Sequence, residues 1–282
     1  MFTSLINAAE LANLFALNTN VIIDCRSILS DPQGGHNAYK KSHIPNALFA
    51  HLEDDLSGDI IAGSTGRHPF PSIEAFANKC SAWGIDSSKQ VVVYDQGHGG
   101  IAARLWFLLK WIGHQNVAVL NGGWEYWMAQ GYPTEQVVKS PTPTVFLPRP
   151  NPNLIVDIDF IAENFNNTKY LMVDSRSADR YRGENEPIDP VAGHIPWAIS
   201  APFLENIGSD GLFLDKDQLT KRFDSLLKEQ ALEDTIFYCG SGVTACHNIL
   251  ALHAIGRENA KLFPGSWSEW ITDNKRPIAV TR

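Results

Sequence analysis

The sequence predicts an α/β protein built as two tandem domains, each a mainly parallel sheet flanked by helices. Two observations carry this. The chain of 282 residues is written twice. Within each copy, short β-branched runs alternate with helical stretches, which is the pattern of a parallel sheet covered on both faces.

The repeat has four landmarks. IIDCRS at 22–27 returns as MVDSRS at 172–177, and HIPNA at 43–47 returns as HIPWA at 194–198. VVVYD at 91–95 returns as TIFYC at 235–239, and VLNGGWEYW at 119–127 returns as LFPGSWSEW at 262–270. The offsets are 150, 151, 144 and 143, so order and spacing are nearly kept. Units of this size are domains, because solenoid repeats run to roughly 20–50 residues.

Taken in order, the N-terminal stretch with Leu5, Ile6, Leu11, Leu14 and Phe15 reads as a short amphipathic helix. Strands are expected at 21–23, 91–94, 117–120, 171–173 and 236–238. Helices are expected at 101–111, 219–228 and 245–255. Six of the sixteen prolines fall in residues 133–153, so an extended, stiff linker is expected there. The boundaries are set at 1–135 for the first domain, 136–152 for the linker and 153–282 for the second domain.

Composition excludes several function classes. The formal charge is −8 and no polybasic run occurs, which disfavours nucleic acid and anionic membrane as partners. No stretch approaches the roughly 18 apolar residues of a membrane span. The N-terminus lacks the features of a signal peptide. Cysteines at 25, 80, 239 and 246 form no CxxC pair, and a reducing cytoplasm is the simplest reading.

The chemistry concentrates in YCGSGVTACH at 238–247. In an open α/β sheet, sites lie beyond the carboxyl ends of strands, and Cys239 stands at such an end. Gly240 and Gly242 permit backbone conformations that other residues resist. Successive amides through Val243 and Thr244, backed by a helix N-terminus near Val243 or Thr244, would form an anion nest. A thiolate held there is expected to be nucleophilic near neutral pH. Cys25, Cys80 and Cys246 lack such a loop and read as packing residues. Cysteine phosphatase chemistry would need a phosphate-clamping arginine six residues after the nucleophile, where Ala245 stands. A nucleotide P-loop would need GxxxxGK[ST], and no lysine follows Gly242. Cys246 and His247 have no further ligands at zinc-site spacing.

Tandem domains with the HIP landmark, a DxR after the first strand and a C-terminal cysteine loop resemble the two-domain rhodanese sulfurtransferases. The spelling CGSGVTA is similar to that of the 3-mercaptopyruvate sulfurtransferases. The resemblance implies sulfur transfer by ping-pong kinetics, through a persulfide on Cys239, from a small-molecule donor to cyanide or a thiol acceptor such as glutathione or thioredoxin. It requires no metal or organic cofactor. Asp95 stands where the second copy has Cys239, so only the second domain is expected to be catalytic, with the first a scaffold forming one wall of the site.

The resemblance also implies roles for other residues. Ser241 matches a serine that works with a histidine and an acid from the first domain. His68 in GRHPFP matches the histidine, and the acid falls on Glu53, beside Asp54. Arg180 matches an arginine that binds the donor's carboxylate. A second arginine, usual shortly after a Glu-Pro step, is absent: Ile188 and Asp189 follow Glu186-Pro187. Arg67 and Arg182 are candidates to replace it. The uncharged Gly240 and Ser241 favour 3-mercaptopyruvate, and the missing arginine favours thiosulfate. A persulfide relay serving a partner protein is the reading from another class. Asp24–Arg26 and Asp174–Arg176, present in both copies, are expected as structural ion pairs, and His43, His194 and the paired tryptophans as packing groups.

Overall fold

The structure, a computed structural model, describes residues 1–15, 20–28 and 30–281. The chain forms two compact units. Unit 1 comprises Met1–Gly58, Pro71–Asn151 and Ser209–Phe213; unit 2 comprises Asp59–Phe70, Pro152–Gly208 and Leu214–Arg282. Both are therefore discontinuous in the chain. The proline-rich segment up to Asn151 belongs with unit 1, where its N–H groups at Thr144, Arg149 and Asn151 donate to Ser81, Ile112 and Trp111.

Unit 1 contains β1 (Leu5–Ile6), α1 (Ala8–Leu14), β2 (Asn20–Asp24), α2 (Gly34–Lys41), β3 (Leu48–Phe49), α3 (Ile73–Ala82), β4 (Gln90–Tyr94), α4 (Gly100–Trp111), β5 (Val117–Leu120) and α5 (Gly123–Ala129). Its strands pair in the order β1-β5-β4-β2-β3, all in parallel. Unit 2 contains α6 (Ile158–Asn164), β6 (Leu171–Asp174), α7 (Ala178–Arg182), β7 (Ile199–Ser200), α8 (Lys216–Leu227), β8 (Thr235–Tyr238), α9 (Ala245–Ala254), β9 (Lys261–Leu262) and α10 (Ser266–Trp270). Its order is β7-β6-β8-β9, again parallel.

The central strands β4 and β8 are buried at every residue, which explains their unbroken apolar runs. Helix starts follow local chemistry. Asn7 with Glu10 and Asp215 with Gln218 form reciprocal capping boxes, while Ser72 and Asp157 each accept an N–H three residues on. The N-terminal expectation needs correction: Leu5 and Ile6 lie in a short strand beside β5, and the helix begins only at Ala8. Two residues are too few to show strand alternation.

The four repeated landmarks prove to be one buried network in each unit. Arg26 lies on Asp24, donates to the Ser42 carbonyl at 2.6 Å and covers the Trp124 ring at 4.4 Å. Arg176 repeats this with Asp174, the Gly193 carbonyl at 2.6 Å and Trp267 at 4.9 Å. The strand tyrosines complete it: Tyr94 accepts the N–H of Ile44 and Tyr238 accepts that of Ile195, each at 3.2 Å. Both arginine–aspartate pairs are thus structural, as expected. His43 and His194 also pack, their rings stacked on Tyr39 and Tyr181 and bonded to those residues' carbonyls.

Candidate active site

β8 ends at Tyr238, and α9 begins at Ala245 after Thr244 as its N-cap. The turn between them, residues 239–244, is the cysteine loop. Eight residues of α9, from Ala245 to Leu252, are buried, so the helix is anchored in the core and its N-terminus is fixed at the loop. Cys239 is a free thiol, 2% exposed. Cys25, Cys80 and Cys246 are also free and buried. Burial pushes the Cys80 thiol up to about 12 and raises Cys25 well above its ordinary value, so both are inert packing groups.

The loop is pinned from α10. The Cys239 N–H donates to Ser266 Oγ at 3.0 Å, and that hydroxyl donates to the Phe263 carbonyl at 2.9 Å. The Cys239 and Gly240 carbonyls accept the N–H groups of Trp267 and Ser268. Ser266 has φ +55°, the value of its unit 1 counterpart Gly123. A side chain in the left-handed region is strained, and here its two hydrogen bonds offset that cost. Ser266 was not foreseen as the partner of the Cys239 N–H, although the Gly123-to-Ser266 change was visible in the repeat.

Unit 1 shows what this strand-to-helix turn can hold. Asp95, at the station of Cys239, places its carboxylate inside its own loop. Oδ1 accepts the N–H groups of Gly97 and Gly99 at 3.1 and 2.9 Å, and Oδ2 those of Ile101 and Ala102 at 2.9 and 3.2 Å. Four amides around one carboxylate make an anion nest, filled in this copy by the protein itself.

Gly242 has φ +74°, and a Cβ there would drive into the Pro264 carbonyl oxygen. Gly242→Ala is therefore expected to cost about 2 kcal/mol or more, from strain plus the clash, measurable by urea denaturation. Gly240 differs, since its Cβ would meet only the ends of Arg67 and Arg180, at 3.1 and 3.4 Å. Gly240→Ala is expected to fold nearly as well as the parent protein.

The structure brings several predicted residues together. His68 Nδ1 lies 2.7 Å from Ser241 Oγ, both buried. His68 and Arg67 sit in Asp59–Phe70, which clusters with unit 2. Glu53 is in unit 1, half-exposed, with Oε2 3.2 Å from His51 Nδ1; Asp54 approaches the same nitrogen at 3.3 Å.

Arg180 is not paired with Asp179 or Glu184 through its guanidinium. Its Nε and Nη2 donate to Glu186, and Nη2 also donates to Asp189 Oδ2 at 3.0 Å. The other oxygen of Asp189 pairs with Arg67 Nη1. Arg176 joins from the buried network, with Nη1 3.2 Å from Glu186. Burial works to raise the Glu186 pKa, but hydrogen bonds from Arg180 and the Asp189 N–H leave it lowered. Asp189 goes the other way: burial raises it, Arg67 pulls it back, and Glu186 pushes it up again. Glu186 and Asp189 were not foreseen as site residues. Arg182 instead pairs with exposed Glu184 at 2.6 Å.

A parallel α/β sheet repeated in tandem, with a buried free cysteine at one strand end and a carboxylate at the matching one, defines a duplicated thiol-loop protein. The family model for the rhodanese-like domain matches residues 7–130 and 157–273, and the chain belongs to that family. It is 45% identical over 277 residues to a probable 3-mercaptopyruvate sulfurtransferase of Pseudomonas aeruginosa, covering 98% of each chain. It is 39% identical over 288 residues to a putative thiosulfate sulfurtransferase of Mycobacterium tuberculosis, covering 97% of this chain and 96% of the relative. Among solved structures it resembles the 3-mercaptopyruvate sulfurtransferase SseA of Escherichia coli, with TM-score 0.81 and 29% identity over 95% of this chain and all of that one.

Proposed function

We propose that this protein is a sulfurtransferase that moves sulfane sulfur from 3-mercaptopyruvate to a thiol or cyanide acceptor through a persulfide on Cys239. The observation that supports it most is the hydrogen bond between His68 and Ser241, two residues after a free cysteine in a glycine-bracketed turn.

The Cys239 thiolate attacks the donor sulfur. The Cys239 Sγ–S bond forms as the donor's C–S bond breaks, and the bonding pair leaves on carbon as pyruvate enolate. One proton then converts the enolate to pyruvate, and Ser241 with His68 is the route for it. The resemblance assigns Glu53 as the acid of the relay, and Arg180 binds the donor carboxylate. Amides of Gly240, Gly242, Val243 and Thr244 hold the terminal sulfur anion, as the Asp95 loop holds a carboxylate. In the second half-reaction an acceptor thiolate or cyanide takes the outer sulfur and the Cys239 thiolate returns. The chemistry needs no cofactor. Four free cysteines suit a reducing compartment such as the cytoplasm, and glutathione or thioredoxin is the proposed acceptor. No described helix is long and apolar enough to cross a membrane.

Thiosulfate is the alternative donor, favoured by the absence of a second arginine after Glu186-Pro187. Its leaving group, sulfite, is stable without protonation. Ser241→Ala is therefore expected to lower kcat/KM about a hundredfold with 3-mercaptopyruvate and far less with thiosulfate. The reading itself is tested by initial rates with 3-mercaptopyruvate and a small thiol varied together. Parallel double-reciprocal lines and stoichiometric pyruvate are expected. Sulfur loading without turnover until a partner protein is added would replace the enzyme with a relay.

A further inference from the structure

Two guanidinium groups converge on the residue that follows the nucleophile. Arg67 Nη2 stands 3.1 Å, and Arg180 Nη2 and Nη1 3.4 and 3.6 Å, from the place a Cβ would take on Gly240. Each arginine also reaches the same carboxylate: Arg67 through Nη1 and Arg180 through Nη2 hold the two oxygens of Asp189. The Asp189 side chain is 1% exposed, whereas Arg67 is 32% and Arg180 14% exposed. The Asp189 N–H donates to Glu186 at 3.0 Å, which fixes the loop that carries it. Arg67, Arg176 and Arg180 thus face Asp174, Glu186 and Asp189 in one connected cluster, and their formal charges cancel.

We propose that Asp189 determines which sulfur donor the site prefers: by neutralising the Arg67–Arg180 pair from within, it favours a donor with a single carboxylate charge over a dianion. This rests on the sulfurtransferase reading above. The two guanidinium groups still offer directed donors to a planar carboxylate. They offer little net attraction to a small dianion such as thiosulfate, whose binding depends on net charge nearby. Removing one negative charge stabilises a bound dianion twice as much as a monoanion at the same place. Arg67 is then the second cation of the donor site, in place of the arginine absent at Ile188, whose side chain belongs to a residue 46% exposed.

The test measures kcat/KM for thiosulfate and for 3-mercaptopyruvate in four proteins: the parent, Asp189→Asn, Asp189→Glu and Arg67→Gln. Asp189→Asn is expected to raise the thiosulfate-to-mercaptopyruvate ratio about tenfold. Arg67→Gln is expected to lower it, and Asp189→Glu to leave it near the parent value. Misfolding cannot move the ratio in opposite directions in two variants. An unchanged ratio in Asp189→Asn, or one that falls, overturns the proposal. If the parent turns over with neither donor, the sulfurtransferase reading fails separately. Calorimetric binding of sulfate and pyruvate to Cys239→Ser, with and without Asp189→Asn, then decides the electrostatic claim. A selective gain for sulfate supports it, and equal changes for both anions refute it.

Discussion

Cys239→Ser is expected to abolish sulfur transfer, with kcat/KM falling by at least about a thousandfold. The serine keeps the size and burial of the site but lacks an accessible anion, so no persulfide forms. Intact mass spectrometry after incubation with 3-mercaptopyruvate should show one added sulfur on the parent protein and none on the variant. Cys246→Ser should load like the parent, because Cys246 lies in α9 with its thiol on the Gly242 carbonyl. Loading retained in Cys239→Ser would move the nucleophile elsewhere and sink the proposed mechanism.

The largest stability effect is expected at Arg176. Its side chain is 1% exposed, 2.6 Å from Asp174 and 3.2 Å from Glu186, and it covers Trp267. Burial works against its charge, yet Asp174, Tyr238 and Glu186 outweigh that and raise its pKa. Arg176→Met leaves the Asp174 carboxylate buried without its cation, at a cost of about 3–5 kcal/mol. Urea denaturation measures this. Adding Asp174→Asn should recover part of the loss, since an uncharged amide costs less to bury than an unpaired carboxylate. A double variant as unstable as the sum of the singles would refute the pair as the cause.

Much of the fold was legible because the repeated words are the places where strands, turn and helix lock together. Aspartate, arginine, tyrosine and tryptophan cannot be exchanged freely when each one partners the next, so the network reads as a repeat. Long apolar strands such as β4 were readable from composition. The two-residue strands β1, β3, β7 and β9 were not, because their pairing depends on partners distant in sequence. In the site, Cys239 and its glycines announced themselves locally. His68, Ser241 and Arg180 were suggested by resemblance, and the structure pairs the first two. Asp189 bonds to Arg180 only nine residues away, but its contact with Arg67, which joins the two arginines, spans 122 residues and left no local signal.

The segment Asp59–Phe70 lies in the first half of the chain yet belongs to unit 2, and it carries Arg67 and His68 to the cysteine loop. A gene duplication first yields two interchangeable halves, each able to be lost, shuffled or recombined alone. Lending this strap ended that freedom: a second half inherited by itself would keep its nucleophile but lose a cation and the histidine bonded to Ser241. The copy with no reactive thiol thus encodes parts of the site that its twin does not.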